Sequence, residues 1–516
     1  MKILHNARIR TLDPACPVAS VIVIERERVL AVGGAELLES FPQVGRKDMG
    51  GRVIWPSLTD SHIHFEKYAI SLQKLDLHGK TDEESQRMVA AHAAERPGEW
   101  VLGQGWSGER PFFAALGGDN PVYLTSRSLH AAWANAAALR LAGIAPGTPD
   151  PLDGRILRDV SGQPNGILLE GAVALVEKVL PPLTPEAIAA AMEAAQPLLW
   201  KLGLTGLHDF DGRASFMALQ SLDLRGRLKL RVLKSVPVAL LPEAHALGLR
   251  SGFGNDRLRI GSVKLFMDGT LGQRTAAMLQ PYLNEPENRG MLNVDGESLA
   301  EHGRMAANVG LSVAVHAIGD RAVHEALNGF DQVRVYERQQ RLPALRHRIE
   351  HVQLIHANDA ARLAQLGIIA SMQPIHAISD MEMADDYWGE RARFGYGWRT
   401  QADHGATLAF GSDAPVESPN PFWGLHAAVT RRRFDGAPSA DGWYPQERLS
   451  LQTALQGYTL GAAYAAGMED RLGRLSPGYY ADLIVLEDDP FACPPDILQT
   501  LHVSATMLAG EWLVEG

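Results

Sequence analysis

Short, nearly continuous apolar runs alternate with stretches of helical period along most of the chain. From about residue 200 onward the runs read as strands: GLTGLHDF (203–210), LKLRVLKSV (228–236), IGSVKLFMDG (260–269), LSVAVHAIGD (311–320), LRHRIEHV (345–352), GIIASMQP (367–374) and TLAFGSDAPV (407–416). An earlier run, RVIWPSLTDSHIHF, covers 52–65. Runs this continuous suit strands covered on both faces, and helical segments at 297–310, 321–341 and 357–367 separate several of them. Eight such runs predict an α/β fold, a parallel (β/α)8 TIM barrel over residues 53–465.

The spacing is uneven. Roughly 140 residues lie between the first strand and the second, far more than one crossover helix requires. That stretch predicts an insertion over 66–185 that emerges after the first strand as a lid. It contains the extended pieces PVYLTSRSLH (121–130) and GRILRDVSGQPNGILLEG (154–171). The two ends instead alternate apolar and polar residues in short strands. Neither end has enough strands to bury a core, so residues 1–52 and 466–516 are expected to pair into one composite β-sandwich domain.

Composition narrows the function. Lys and Arg total 49 against 60 Asp and Glu, a net charge of −11 with no basic block, which argues against nucleic acid and anionic membrane surfaces as partners. The two cysteines, Cys16 and Cys493, have no metal-type spacing and make no disulfide scaffold. No window approaches 18 uninterrupted apolar residues, and the opening MKILHNAR is too polar for a signal peptide. A cytoplasmic protein with a small-molecule substrate is the expectation.

The candidate chemistry gathers at strand ends. In Asp60-Ser61-His62-Ile63-His64, residues two apart in a strand project to one side, so His62 and His64 can aim at a common point. Converging imidazoles suit zinc, and iron, manganese or nickel accept the same donors. His316, His351 and Asp413 end three further strands, and Lys264 lies within another. Barrel enzymes keep their sites at that end, so the joint reading is a metal site. An ammonium in an apolar strand is costly, and burial depresses its pKa. Lys264 is therefore read as a carbamate able to bridge two metals. The alternative is an unmodified lysine paired with Asp268, Asp209 or Asp413.

Together these residues resemble the amidohydrolase superfamily. The set is Asp-x-His-x-His, a strand-four lysine, two single histidines and a strand-eight aspartate. DSHIHF (60–65), GQGWSGERPF (103–112), VKLFMDGTLGQRTA (263–276), HAIGDRA (316–322), RIEHVQL (348–354), GSDAPVESPNP (411–421) and GRLSPGYYADLIVL (473–486) narrow it to the amidohydrolase-3 branch. That branch includes N-substituted formamide deformylase-like and imidazolonepropionase-like hydrolases. The resemblance implies a metal-dependent hydrolase of non-peptide carbon–nitrogen bonds. One ion would sit among His62, His64, carbamylated Lys264 and Asp413, and a second among Lys264, His316 and His351. Asp413 would be general base and acid. A single ion on His62, His64, His316 and Asp413 is the alternative ligand set. A deaminase, an esterase-like hydrolase and a non-catalytic relative are the alternative functions. A homodimer is expected at family level. Arg274, Arg321, His130, Trp106, His208 and His376 are candidate substrate contacts, with Trp133 a candidate for pocket or core. The run Arg431-Arg432-Arg433 reads as a solvated helix end or an interface feature.

Overall fold

The computed structural model describes residues 1–106, 112, 114–126, 131–151 and 154–515. They form two compact units, one made of residues 1–65 and 193–516 and the other of residues 66–192.

In the first unit eight strands form one sheet: β1 (Leu58–Ile63), β2 (Leu204–Asp209), β3 (Arg231–Pro237), β4 (Leu258–Phe266), β5 (Ser312–Ala317), β6 (Arg348–His351), β7 (Ile369–Met372) and β8 (Leu408–Phe410). All seven neighbouring pairs are parallel. β8 approaches β1 through a parallel bridge between Ile63 and Ala414, which closes the barrel. Side chains on both faces are buried along β2 and β5, as the unbroken apolar runs require. Helix α1 (Gly296–Asn308) precedes β5, and α2 (Asp320–Gln339) follows it. α1 starts where Asp295 accepts a hydrogen bond from the Ser298 N–H. The expected helix at 357–367 is shorter, a 3₁₀ turn at Ala357–Asp359 and a helical turn and a half at Arg362–Leu366.

The run at 52–65 is two strands rather than one. Val53–Pro56 pairs antiparallel with Leu483–Leu486, and the chain enters the barrel only at Leu58. Proline lacks an N–H, so Pro56 suits the end of a ladder, and Ser57 makes the switch by donating its N–H to the Asp482 carbonyl. The termini supply two sheets. Lys2–His5, Val21–Glu25, Arg28–Gly33 and Arg46–Asp48 form one, with the two outer strands flanking the pair. The other has six strands, including Val53–Pro56, Leu483–Leu486 and Val503–Leu508. Leu4, Ile22, Ile54, Leu483, Val485 and Met507 share one buried core between them.

The second unit holds a six-stranded mixed sheet, Val101–Trp106 pairing parallel with Val122–Ser126 and Gly154–Arg158 antiparallel with Pro164–Glu170. Its helix Asp82–Glu95 opens with a capping box, Thr81 and Glu84 exchanging backbone N–H bonds. Ala131–Ala134 is a strand, and helix begins only after Asn135, whose side chain caps Ala138. Trp106 and Trp133 are buried against Phe112, with ring centroids 6.3 and 5.3 Å away. Both tryptophans pack in this unit's hydrophobic core. His130 lies outside the described residues.

The arginine run also divides. Arg431 is fully buried, stacked between Trp398 and Trp443 at 4.6 and 4.7 Å, and it donates to the Tyr396 carbonyl at 2.8 Å. Arg432 and Arg433 instead make surface pairs, with Asp496 and Glu382. Among the described residues no helix is long and apolar enough to cross a membrane.

Candidate metal centre

The carboxyl end of the barrel gathers the predicted side chains from six of its strands or the segments that follow them. His62 Nε2 and His64 Nε2 each lie 3.5 Å from Asp413 Oδ1, and His376 Nε2 lies 3.5 Å from Asp413 Oδ2. Two groups have ligand atoms close enough to share an ion: His62, His64 and Asp413, and His351, His376 and Asp413. The ring of His351 is 4.9 Å from that of His62 and 4.5 Å from that of His316. His316 belongs to neither group.

Local backbone aims these side chains. Asp60 clasps both ends of the barrel seam. Its Oδ1 accepts the N–H groups of His62 and Ser412, both at 3.0 Å, and its Oδ2 accepts the Ser412 hydroxyl at 2.5 Å. Any side chain at Gly411 would collide with the His62 backbone nitrogen, so that position requires glycine. Asp413 and His351 have φ of +62° and +75°, a region costly for residues with a Cβ and populated at functional sites. Arg348 and Glu350 point into the barrel from β6, so strict alternation would turn His351 away. The left-handed backbone returns it.

Four of the five histidines gathered here have one nitrogen anchored. Glu350 takes Nδ1 of His62 at 2.6 Å, Asp211 takes Nδ1 of His64 at 2.9 Å, and Gln373 Oε1 takes Nδ1 of His351 at 2.8 Å. His316 gives Nε2 to the Gly269 carbonyl at 3.0 Å, which leaves its Nδ1. Anchoring of this kind fixes the tautomer and orients the other nitrogen as a ligand. Burial, reinforced by the Lys264 charge, lowers His62 to about 4 and His316 to about 3, and burial takes His351 well below its usual range. These imidazoles are neutral at pH 7, the form that binds metal. Burial opposes ionisation of Asp413, yet His62 and His376 hold it well below the carboxylate range. His376 is the exception among the histidines. Burial disfavours its charge, but Asp413 beside it lifts it to about 9.

Lys264 is 3% exposed, and its Nζ has no hydrogen-bond partner among the described residues. It faces the rings of Phe210 and Phe266 at 4.5 and 4.9 Å, and burial lowers it to about 8. Two of the acids that could have paired with it are engaged elsewhere. Asp268 accepts the N–H groups of Ala277, Ile318 and Gly319, and Asp209 pairs with Lys234 at 3.0 Å. An orphaned buried amine beside neutral imidazoles and a carboxylate fits a divalent metal with an anionic lysine adduct.

Residues 47–514 match the Amidohydrolase family. The chain belongs to that family. It is 32% identical to Protein LONG AFTER FAR-RED 3 of Arabidopsis thaliana, over 94% of this chain and 86% of that one. The N-substituted formamide deformylase of Arthrobacter pascens is 26% identical, over 98% of this chain and 96% of that one. An uncharacterized metal-dependent hydrolase from Pyrococcus furiosus superposes with a TM-score of 0.79 at 31% identity, covering 95% of this chain and 99% of that structure.

The softer candidates scatter. His376, expected to contact substrate, instead joins the cluster around Asp413. His208 is buried within the barrel, with Nδ1 taken by Arg348 Nη1 at 2.9 Å, so it is not displayed on the catalytic face. Arg274 is at the surface, paired with Glu285. Arg321 is exposed in the first turn of α2. Sequence reasoning missed the anchors Glu350, Asp211 and Gln373, and with them Arg348, which grips both oxygens of Glu350 at 2.5 and 3.0 Å. Glu350 was discoverable, since in R-I-E-H a carboxylate beside a candidate ligand stands two residues from Arg348, and residues two apart in a strand project to one side.

Proposed function

We propose that this chain is a metal-dependent hydrolase of non-peptide carbon–nitrogen bonds, acting on a small linear or cyclic amide or an N-acyl compound. The observation that carries the reading is the set of anchored imidazoles, each with one nitrogen free, around Asp413 and beside the orphaned amine of Lys264. The relative named for deformylation of N-substituted formamides supports the bond type.

His62, His64 and Asp413 would hold one ion, and His316 and His351 a second, with the Lys264 carbamate as the shared anionic ligand. Such an ion, zinc by donor type, would supply Lewis acidity, lowering the pKa of water to about 7. The neutral amine of Lys264 attacks carbon dioxide, forming the N–C bond of the carbamate and releasing one proton. Its pKa of about 8 leaves a usable neutral fraction at pH 7. Asp413, ionised and oriented by His376, accepts the proton of the attacking water and delivers it to the departing amine, so an acid and an amine leave.

Asp413→Asn should lower kcat by about 10²–10⁴-fold, the usual worth of a general acid–base group, while circular dichroism and metal content stay near wild type. Turnover within threefold of wild type would overturn the role. Substrate class is tested by profiling N-formyl, N-acyl and cyclic amides with metal-reconstituted protein. Acid plus amine is the expected product pair, and release of ammonia would assign a deaminase instead.

A further inference from the structure

Two aromatic rings flank Lys264, and they differ in one respect. Its Nζ is 4.5 Å from the ring centroid of Phe210 and 4.9 Å from that of Phe266. Phe210 packs against His62, with centroids 4.3 Å apart, and is 7% exposed. Phe266 also borders the histidine cluster, its centroid 5.3 Å from that of His316, yet it is 48% exposed.

The strand explains how an open ring comes to stand there. Phe266 is the last residue of β4 and lies opposite His316 in the parallel register. Residues two apart in a strand project to one side, so Phe266 follows Lys264 on the same face, one step nearer the mouth. Every residue from Ile260 to Leu265 is buried, and burial stops at Phe266. Flanking the amine does not call for this exposure, since Phe210 does so while covered. An uncovered ring beside the reacting centre gains from an apolar group that displaces water from it, and most from a second ring. Small-molecule sites combine such apolar walls with a few convergent polar groups.

We infer that Phe266 is a specificity-determining residue, its open ring receiving an aromatic substituent carried next to the scissile carbonyl or on the departing nitrogen. This substrate class, amides with an aryl group close to the bond that breaks, rests on the hydrolase reading of the histidine cluster.

Metal-reconstituted protein is assayed with matched amides that differ only in phenyl for methyl, one pair on the acyl side and one on the amine side. In the wild type, kcat/KM should favour phenyl by at least about tenfold in one pair. Phe266→Ala should bring that ratio to within about threefold of unity. Phe266→Leu keeps an apolar side chain, should retain part of the preference, and serves where the alanine variant fails to fold. A merely structural role would lower both members of a pair alike, and a ratio that stands unchanged in Phe266→Ala would overturn the assignment. So would a wild-type ratio near unity in both pairs. Calorimetric titration with benzamide and with acetamide reads the same contact without turnover. Should no amide be hydrolysed, the hydrolase reading falls and the titration alone decides on Phe266. Benzamide bound at least about tenfold tighter than acetamide, with the difference lost in Phe266→Ala, supports the ring contact, and equal binding overturns it.

Discussion

Two lysines sit on adjacent barrel strands, Lys234 on β3 and Lys264 on β4, 1% and 3% exposed. Lys234 is fully partnered. It pairs with Asp209 at 3.0 Å and donates to the carbonyls of Ser235, at 3.1 Å, and Asp211. Lys264 meets only aromatic faces and charges at longer range. Cation–π contact returns about 0.5–2 kcal/mol, far short of what burying an ammonium costs. The same residue type in the same kind of strand is thus a structural cation in one place and a buried amine without a hydrogen-bond partner among the described residues in the other. The acids around it make the difference.

Four experiments can break or sharpen that contrast. Lys234→Met leaves Asp209 buried and uncompensated, so chemical denaturation should register a loss of about 3–5 kcal/mol. A loss below about 1 kcal/mol would show that Asp209 finds another partner. Lys264→Met should do the reverse, sparing or raising stability while metal content and turnover fall. ¹³C NMR of wild-type protein in labelled bicarbonate should show a carbamate carbon that this variant lacks. Glu350→Gln weakens the anchor on His62, and metal affinity measured by competition with a chelator should drop about 10–100-fold. Smallest of all, Arg274→Ala removes an exposed pair with Glu285, and stability should change by less than about 1 kcal/mol with kcat/KM unchanged. A fall in kcat/KM would restore Arg274 as a substrate contact.

The barrel was legible because strands buried on both faces leave unbroken apolar runs, and His62 and His64 were legible because a period of two puts them on one side. What stayed hidden depends on contacts between distant segments. His376 reaches Asp413 from the first turn of the helix Pro374–Trp388 that follows β7, and nothing local marks that meeting. His351 is aimed by a positive φ that its residue type does not announce. Arg431 looked solvated because it stands in a run of three charges, yet Trp398 and Trp443 enclose it. The break at Ser57 escaped notice since both halves of the 52–65 run are buried, in different sheets. The element around Trp133 was open for a related reason. Alanines fit either element, and pairing with Val122–Ser126 decided for strand.

The bridge between Ile63 and Ala414 is flanked by Asp413 N–H to His62 carbonyl at 2.7 Å and His64 N–H to Ala414 carbonyl at 2.9 Å. His62 and His64 therefore stand on one lip of the closing joint and Asp413 on the other. An ion gripped by all three would act as a rivet, coupling occupancy to mechanical closure of the cylinder. Amide protons along residues 62–64 and 411–414 should then exchange faster in chelator-treated protein, with the rest of the sheet little altered.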